Sequence, residues 1–122
     1  MKALDIIIAE RDPAVAQLLS SSLDRHFRSV RLARSIEELR SAIPRHRVDA
    51  VVADLETVAL PEVAELSREF QLPVVCVHRI PDDELWTAAL QAGALDVCPN
   101  SDAPAILTAL ERNVEGTHSQ AA

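Results

Sequence analysis

Three charged residues follow one apolar run of the sequence, and a fourth ends another. Glu10, Arg11 and Asp12 come directly after an isoleucine-rich segment, and Asp54 closes a run of valine and alanine. Carboxylates are ligands for a hard cation such as Mg²⁺, and an aspartate can act as a nucleophile toward a phosphoryl group. An arginine between acids competes with a metal for the same carboxylates. These residues therefore predict an acidic site that contains a cation of its own.

Apolar runs that resemble buried strands alternate along the chain with segments of helical periodicity. The strand segments are residues 4–9, 29–33, 48–54, 73–77 and 95–99. Asp12 before Pro13 is typical of a helix N-terminus, because the carboxylate caps free N–H groups and proline needs no partner there. Gly93 is typical of a helix end.

This alternation predicts an α/β fold, a doubly wound (βα)5 sandwich with a parallel five-stranded sheet of order 2-1-3-4-5. Ligands of such sheets bind beyond the carboxyl ends of the strands, where the winding reverses between strands 1 and 3. The acids should therefore share one pocket, with His78 after strand 4 and Asn100 after strand 5 beside them. We expect one domain over residues 1–115 and a flexible tail over 116–122.

The composition restricts the function classes. A net charge of −7 argues against a nucleic-acid-binding domain, which needs clustered basic residues. Only 2 glycines occur, so the sequence has no glycine-rich nucleotide loop. No apolar run approaches the ~20 residues of a membrane span, and none has the form of a signal peptide. Cys76 and Cys98 lie in apolar runs without metal-site spacing. We expect a cytoplasmic protein with reduced thiols, bound to neither nucleic acid nor membrane.

The sequence resembles the receiver domains of two-component response regulators over residues 4–114. The matching features are an apolar strand that ends in acid before "DP", and the segments "VDAVVADLE", "LPVVCV" and "QAGALDVCPNSD". The last of these is similar to the family's "EAGADDYLxKP". The resemblance implies a flavodoxin-like fold with Asp54 as the phosphoacceptor. It also implies an Mg²⁺ site formed by Glu10, Asp54 and the backbone carbonyl of Glu56.

Several positions depart from the family's pattern. Arg11 replaces an acid after strand 1, His78 replaces a serine or threonine, Asn100 replaces a lysine, and Val97 replaces the aromatic switch residue. Asn100 carries no charge and replaces lysine only in part, unless it is simply a turn residue. His78 either binds a phosphoryl oxygen, blocks the space left by a hydroxyl, or is an ordinary loop residue.

Arg11 should weaken Mg²⁺ binding in particular, unless its side chain points into solvent. At ~4 Å its attraction to Asp54 would be about 4 kcal/mol before desolvation, at an effective dielectric constant near 20. Asp12 is better placed as a helix cap than as a metal ligand. We expect Mg²⁺ to bind weakly and no other cofactor to be used.

These departures predict an atypical receiver, or pseudo-receiver, that acts through protein–protein contacts and is not an enzyme. The implied partners are a histidine kinase or another signalling protein, and a second copy through helix 4, strand 5 and helix 5, where Trp86 offers an aromatic anchor. The chain is either a stand-alone regulator or a domain of a longer one. The alternative is an aspartate-nucleophile phosphatase, although that chemistry uses a second aspartate where this chain has Glu56.

Overall fold

Five parallel strands form one sheet between two layers of helices in the computed structural model, which describes residues 3–112. The strands are β1 Asp5–Ala9, β2 Ser29–Ala33, β3 Ala50–Asp54, β4 Val74–His78 and β5 Asp96–Pro99. The helices are α1 Pro13–Leu23, α2 Ile36–Ala42, α3 Leu60–Phe70, α4 Asp83–Gln91 and α5 Ala103–Leu110. The strand order β2-β1-β3-β4-β5 confirms the predicted topology. The predicted tail over 116–122 lies outside the described residues.

The sheet is buried on both faces, which explains why its central strands are almost uniformly apolar. Ile6 and Ile8 of β1 join a cluster with residues of α1 and α5, whereas Ile7 joins a cluster with residues of α2, α3 and α4. Side chains alternate across a strand, so consecutive isoleucines enter opposite layers. The strand ends are thereby fixed on a rigid scaffold.

Local signals set helix ends at both edges of the sheet. Asp12 caps α1, since its Oδ1 accepts a hydrogen bond from the Ala14 N–H at 2.9 Å, and Pro13 is the first helical residue, as predicted. Gly93 follows α4 with a φ of 108°, a left-handed conformation that glycine adopts without strain.

An ion pair closes the opposite end of the sheet. Asp5 is buried, and its Oδ2 accepts a hydrogen bond from Arg28 Nε at 3.1 Å. Ser29 Oγ donates to Asp5 Oδ1 at 2.6 Å. These hydrogen bonds, that of Arg28 above all, lower the pKa of Asp5 to about 2. The pair links β1 to β2 far from the acids at the carboxyl edge.

A search of residues 3–112 for membrane-spanning helices finds none that is long and apolar enough.

Candidate functional site

The parallel pairing of β1 and β3 brings two carboxyl groups together at the carboxyl edge of the sheet. Ala9 lies opposite Ala53, so the residues that follow them, Glu10 and Asp54, are neighbours. Glu10 is 3% exposed and Asp54 is 5% exposed. We call these two residues the acidic pair. Two carboxyl groups buried this closely cannot both carry charge at low cost.

The hydrogen bonds of the acidic pair show how that cost is avoided. Glu10 Oε2 accepts from the Asp12 N–H at 3.1 Å, whereas Glu10 Oε1 is buried and receives no hydrogen bond within the described part of the chain. Burial, reinforced by a hydrogen bond to Asp54, raises the pKa of Glu10 to about 8. The raised pKa favours the protonated form of Glu10 at neutral pH.

Asp54 is held by the turn that follows β3. Its Oδ1 accepts a hydrogen bond from the Glu56 N–H at 2.7 Å. Its backbone carbonyl accepts from the N–H groups of Thr57 and Val58, each at 2.8 Å. The aspartate is therefore fixed in orientation by its own loop.

The predicted partner of Arg11 is corrected by the structure. Its guanidinium lies 3.9 Å from Glu56 Oε2, and within residues 3–112 no salt bridge joins it to Asp54. Its side chain is 65% exposed. The backbone N–H of Arg11 donates to Thr57 Oγ1 at 3.0 Å, and the long side chain extends along the surface. Arg11 lies at the pocket as predicted, but it does not take the place of a metal on Asp54.

Glu56 also attracts two groups from the end of β4. Arg79 Nε donates to Glu56 Oε1 at 3.2 Å, and His78 Nε2 lies 3.6 Å from the same oxygen. His78 Nδ1 accepts a hydrogen bond from the Ile80 N–H at 3.2 Å, which leaves Nε2 as the protonated nitrogen of the neutral ring. We call Arg11, Glu56, His78 and Arg79 the rim cluster.

Sequence reasoning singled out three members of the rim cluster and missed Arg79. The missed signal was available, because Arg79 directly follows β4, and residues after neighbouring parallel strands meet at one edge. Glu56 was singled out for its backbone carbonyl, whereas its side chain is the common partner of Arg11, His78 and Arg79.

A cleft of about 130 Å³ contains both the acidic pair and most of the rim cluster. Its lining residues are Glu10, Arg11, Asp12, Val15, Asp54, Glu56, Arg79 and Asn100. The structure thus brings together the predicted acids, the predicted cation and Asn100. His78 is not among the residues that line it.

The two remaining altered positions are fixed by the sheet. The Asn100 N–H donates to the His78 carbonyl at 2.9 Å, which holds the end of β5 against β4. Val97 is 8% exposed and packs in the cluster on the α2, α3 and α4 side. An aliphatic residue fixed in the core offers no ring that could turn between a buried and an exposed rotamer.

A larger cleft of about 420 Å³ lies beside the first, between α1, β2 and α2. Glu10 is the single residue that lines both clefts, and the other charged residues there are Arg34 and Glu38, both exposed. Chemistry depends on groups that are buried together and perturbed by one another. We therefore place the candidate site in the smaller cleft.

Mg²⁺ needs at least one or two carboxylate ligands from a protein, and the acidic pair supplies no more than that minimum. Glu10 Oε1, buried without a donor, is an oxygen that a cation could satisfy. Within residues 3–112, however, no group of three or more His, Cys, Asp or Glu side chains is placed to hold a metal ion. Glu10, Asp54 and the Glu56 carbonyl would have to hold the ion, which would neutralise charge on a phosphoryl group.

Comparison with known proteins finds similarity of structure alone. Neither the family models nor the curated proteins give a match. The isolated receiver domain of RcsB from Salmonella enterica serovar Typhimurium is 18% identical and aligns over 91% of this chain and 90% of that one, with a TM-score of 0.79. A response regulator from Thermotoga maritima is 17% identical over 89% of this chain and 98% of its own, with a TM-score of 0.78.

Two further structures agree with these. The receiver domain of Francisella response regulator 1452 is 16% identical over 93% of this chain and 98% of its own, with a TM-score of 0.79. This chain spans 61% of a longer RcsB response regulator of Salmonella typhimurium, at 18% identity over 92% of this chain and a TM-score of 0.80. The structural neighbours are thus response-regulator receiver domains, and this chain has their fold.

Proposed function

We propose that this chain is a receiver-type module of two-component signalling whose Asp54 is a poor phosphoacceptor and which acts through protein–protein contacts. The receiver fold supports the signalling role. The observation that carries the proposal is the acidic pair itself, two carboxyl groups buried at neighbouring strand ends, while the nearby arginines lie beside Glu56.

The acidic pair sets two conflicting requirements for phosphorylation. A phosphoryl group on Asp54 brings negative charge into the cleft, which favours a neutral Glu10. An Mg²⁺ ion needs Glu10 ionised, because a metal ligand must lose its proton first. With the pKa of Glu10 at about 8, ionising it at pH 7 makes metal binding about tenfold weaker.

The positively charged or hydroxyl side chains that would stabilise a phosphoryl group are absent from positions 78 and 100. Phosphoryl transfer relies on positioned positive charge at the transferring oxygens. Asn100 lines the cleft but supplies only a neutral amide, and His78 faces Glu56 instead of Asp54. The cleft therefore has the shape of a receiver site with reduced electrostatic stabilisation.

Partner contact is the remaining route for a signal, and the face formed by α4, β5 and α5 supports it. Trp86 is 47% exposed, and its Nε1 donates to Asp96 Oδ1 at 3.3 Å, which fixes the ring on the surface. Ile80, just before α4, is 80% exposed. A fixed, exposed aromatic on α4, with an exposed aliphatic residue in the loop before that helix, suits a histidine kinase, another signalling protein or a second copy. We place this activity in the cytoplasm, without nucleic acid.

The phosphatase alternative lacks support in the site. Its acid or base would have to be Glu56, two residues after Asp54. The Glu56 carboxylate instead lies on Arg11, His78 and Arg79, and it is the Glu56 backbone N–H that contacts Asp54. Turnover is therefore not part of the proposed function.

Intact mass after incubation with acetyl phosphate and Mg²⁺ tests the proposal. Loss of one stabilising group costs roughly 10²–10³ in rate, so we expect fewer than about a tenth of the molecules to gain a phosphoryl group while the RcsB receiver domain is labelled in parallel. Asp54→Asn is the control for the labelled position. Stoichiometric labelling that Asp54→Asn abolishes would refute a poor phosphoacceptor.

A further inference from the structure

Three loops at the carboxyl edge of the sheet meet at one exposed carboxylate. Arg11 follows β1, Glu56 follows β3, and His78 and Arg79 come from the end of β4. Arg79 Nε lies 3.2 Å from Glu56 Oε1, and Arg11 Nη2 lies 3.9 Å from Glu56 Oε2. The two guanidinium groups therefore approach the two oxygens of the same carboxylate.

The rim cluster has more cationic groups than anionic ones. Two permanent cations and an imidazole face the single carboxylate of Glu56 in a chain whose net charge is −7. Both guanidinium groups are accessible, with side chains 65% and 74% exposed. An anion from solution can therefore reach them without being buried.

The rim cluster also adjoins Asp54. Arg11, Glu56 and Arg79 line the same cleft as the acidic pair. A tetrahedral oxyanion at the mouth of that cleft would lie within reach of both arginines. Guanidinium groups bind phosphate through the same paired N–H donors as they bind a carboxylate, and phosphate carries the higher charge.

We propose that Arg11 and Arg79 form a binding site for a phosphate-type oxyanion, and that Glu56 occupies this site in the free protein as a displaceable internal anion. The inference rests on the proposed function only where the oxyanion is the phosphoryl group that Asp54, a poor phosphoacceptor, carries in few molecules. Free inorganic phosphate would use the same donors, because both sources present the same oxygens.

Little free energy is needed to displace the Glu56 carboxylate, because its contacts are those of a surface residue. Its side chain is 37% exposed, and exposed ion pairs are weak. The backbone N–H of Glu56 would keep its hydrogen bond to Asp54 when the side chain moves away. The loop can therefore keep its conformation while the carboxylate turns to water.

Amide chemical shifts titrated with inorganic phosphate at constant ionic strength test the site. Glu56→Gln removes the internal competitor, so phosphate should bind about threefold to fivefold more tightly than to the parent chain, the range expected for exposed charge pairs. Arg79→Gln should weaken binding by a similar factor. In each case the largest shifts should be those of residues 10–12, 56 and 78–80.

Two variants control for net charge. Asp24→Asn removes one exposed negative charge from the segment after α1, and Arg68→Gln removes one positive charge from the last turn of α3. Neither residue lines the cleft, so each should leave phosphate affinity within about twofold of the parent. If Glu56→Gln binds phosphate no better than Asp24→Asn, or the shifts do not centre on the rim cluster, the proposal is overturned.

Asp54→Asn separates this inference from the proposed function. Phosphate should still shift the rim residues of Asp54→Asn, because the arginines hold a free oxyanion without a covalent bond. Loss of those shifts in a folded Asp54→Asn variant would contradict the site. Stoichiometric labelling of Asp54 by acetyl phosphate would instead refute the poor phosphoacceptor and leave the rim site intact.

Discussion

At pH 9 the Glu10→Gln variant will be more stable than the parent chain by ~3 kcal/mol, whereas at pH 5 the two will be similar. Glutamine keeps the size of the side chain and can donate its amide to Asp54, as the protonated glutamate does. It cannot ionise, so it avoids a second buried charge beside Asp54. This difference in unfolding free energy is smaller than the pKa shift alone would give, because the cleft opens to solvent and water screens the charges.

The direction follows from proton binding. The pKa of Glu10 is raised from an ordinary 4.5 to about 8 in the folded chain, first by burial and then by Asp54. Between these values the folded state holds a proton that the unfolded state has lost, so stability falls as pH rises. The stabilising contribution is complete below pH 4.5 and is lost once the pH passes about 8.

Urea unfolding followed by Trp86 fluorescence at pH 5 and pH 9 measures this difference. Glu37→Gln, an exposed glutamate in the first turn of α2, is the matched control and should follow the parent at both pH values. Cys76 and Cys98 titrate higher, since burial raises their pKa to about 12 and about 11. If the parent chain is as stable at pH 9 as Glu10→Gln, ionisation of Glu10 does not destabilise the fold.

The His78→Thr/Asn100→Lys double variant will accept a phosphoryl group from acetyl phosphate and Mg²⁺ about a hundredfold faster than the parent chain. Asn100 lines the cleft, so lysine there would bring a cation beside Asp54. A donor that stabilises developing charge in such a site contributes roughly 10²–10³ in rate. Threonine at 78 removes a ring now paired with Glu56 and supplies a hydroxyl.

The time course of mass labelling measures that rate. His78→Thr/Asn100→Gln is the matched control, because it changes the same positions without adding charge and should stay within about tenfold of the parent. Addition of Asp54→Asn to the double variant should abolish labelling. Equal rates in the lysine and glutamine variants would mean that the missing charge at residue 100 does not limit phosphorylation.

The fold could be predicted from the sequence because its signals are redundant. The alternation of strands and helices, the cap at Asp12 and the glycine at 93 each agree with one topology, and the register of β1 with β3 then places Glu10 beside Asp54. Backbone pairing positions the first atoms of these side chains. For short side chains at a strand end, this positioning decides which neighbours they meet.

The details of the site depend on longer side chains, and there prediction was less successful. Arg11 was expected on Asp54, but its guanidinium extends to Glu56 and remains mostly exposed. Several flexible bonds separate an arginine backbone from its charge, so sequence position does not determine its partner. Arg79 was missed for the same reason. The raised pKa of Glu10 depends above all on burial, which sequence spacing does not measure.

The central claim is that Glu10, buried beside Asp54, keeps its proton at neutral pH. The ¹³C shift of the Glu10 carboxyl carbon, followed from pH 3 to pH 10 and assigned with Glu10→Gln, tests this claim most directly. We predict a midpoint of about 8 for Glu10. A midpoint near the ordinary 4.5 would mean that Glu10 is charged at pH 7, which would contradict the account of a site that binds Mg²⁺ and phosphoryl groups poorly.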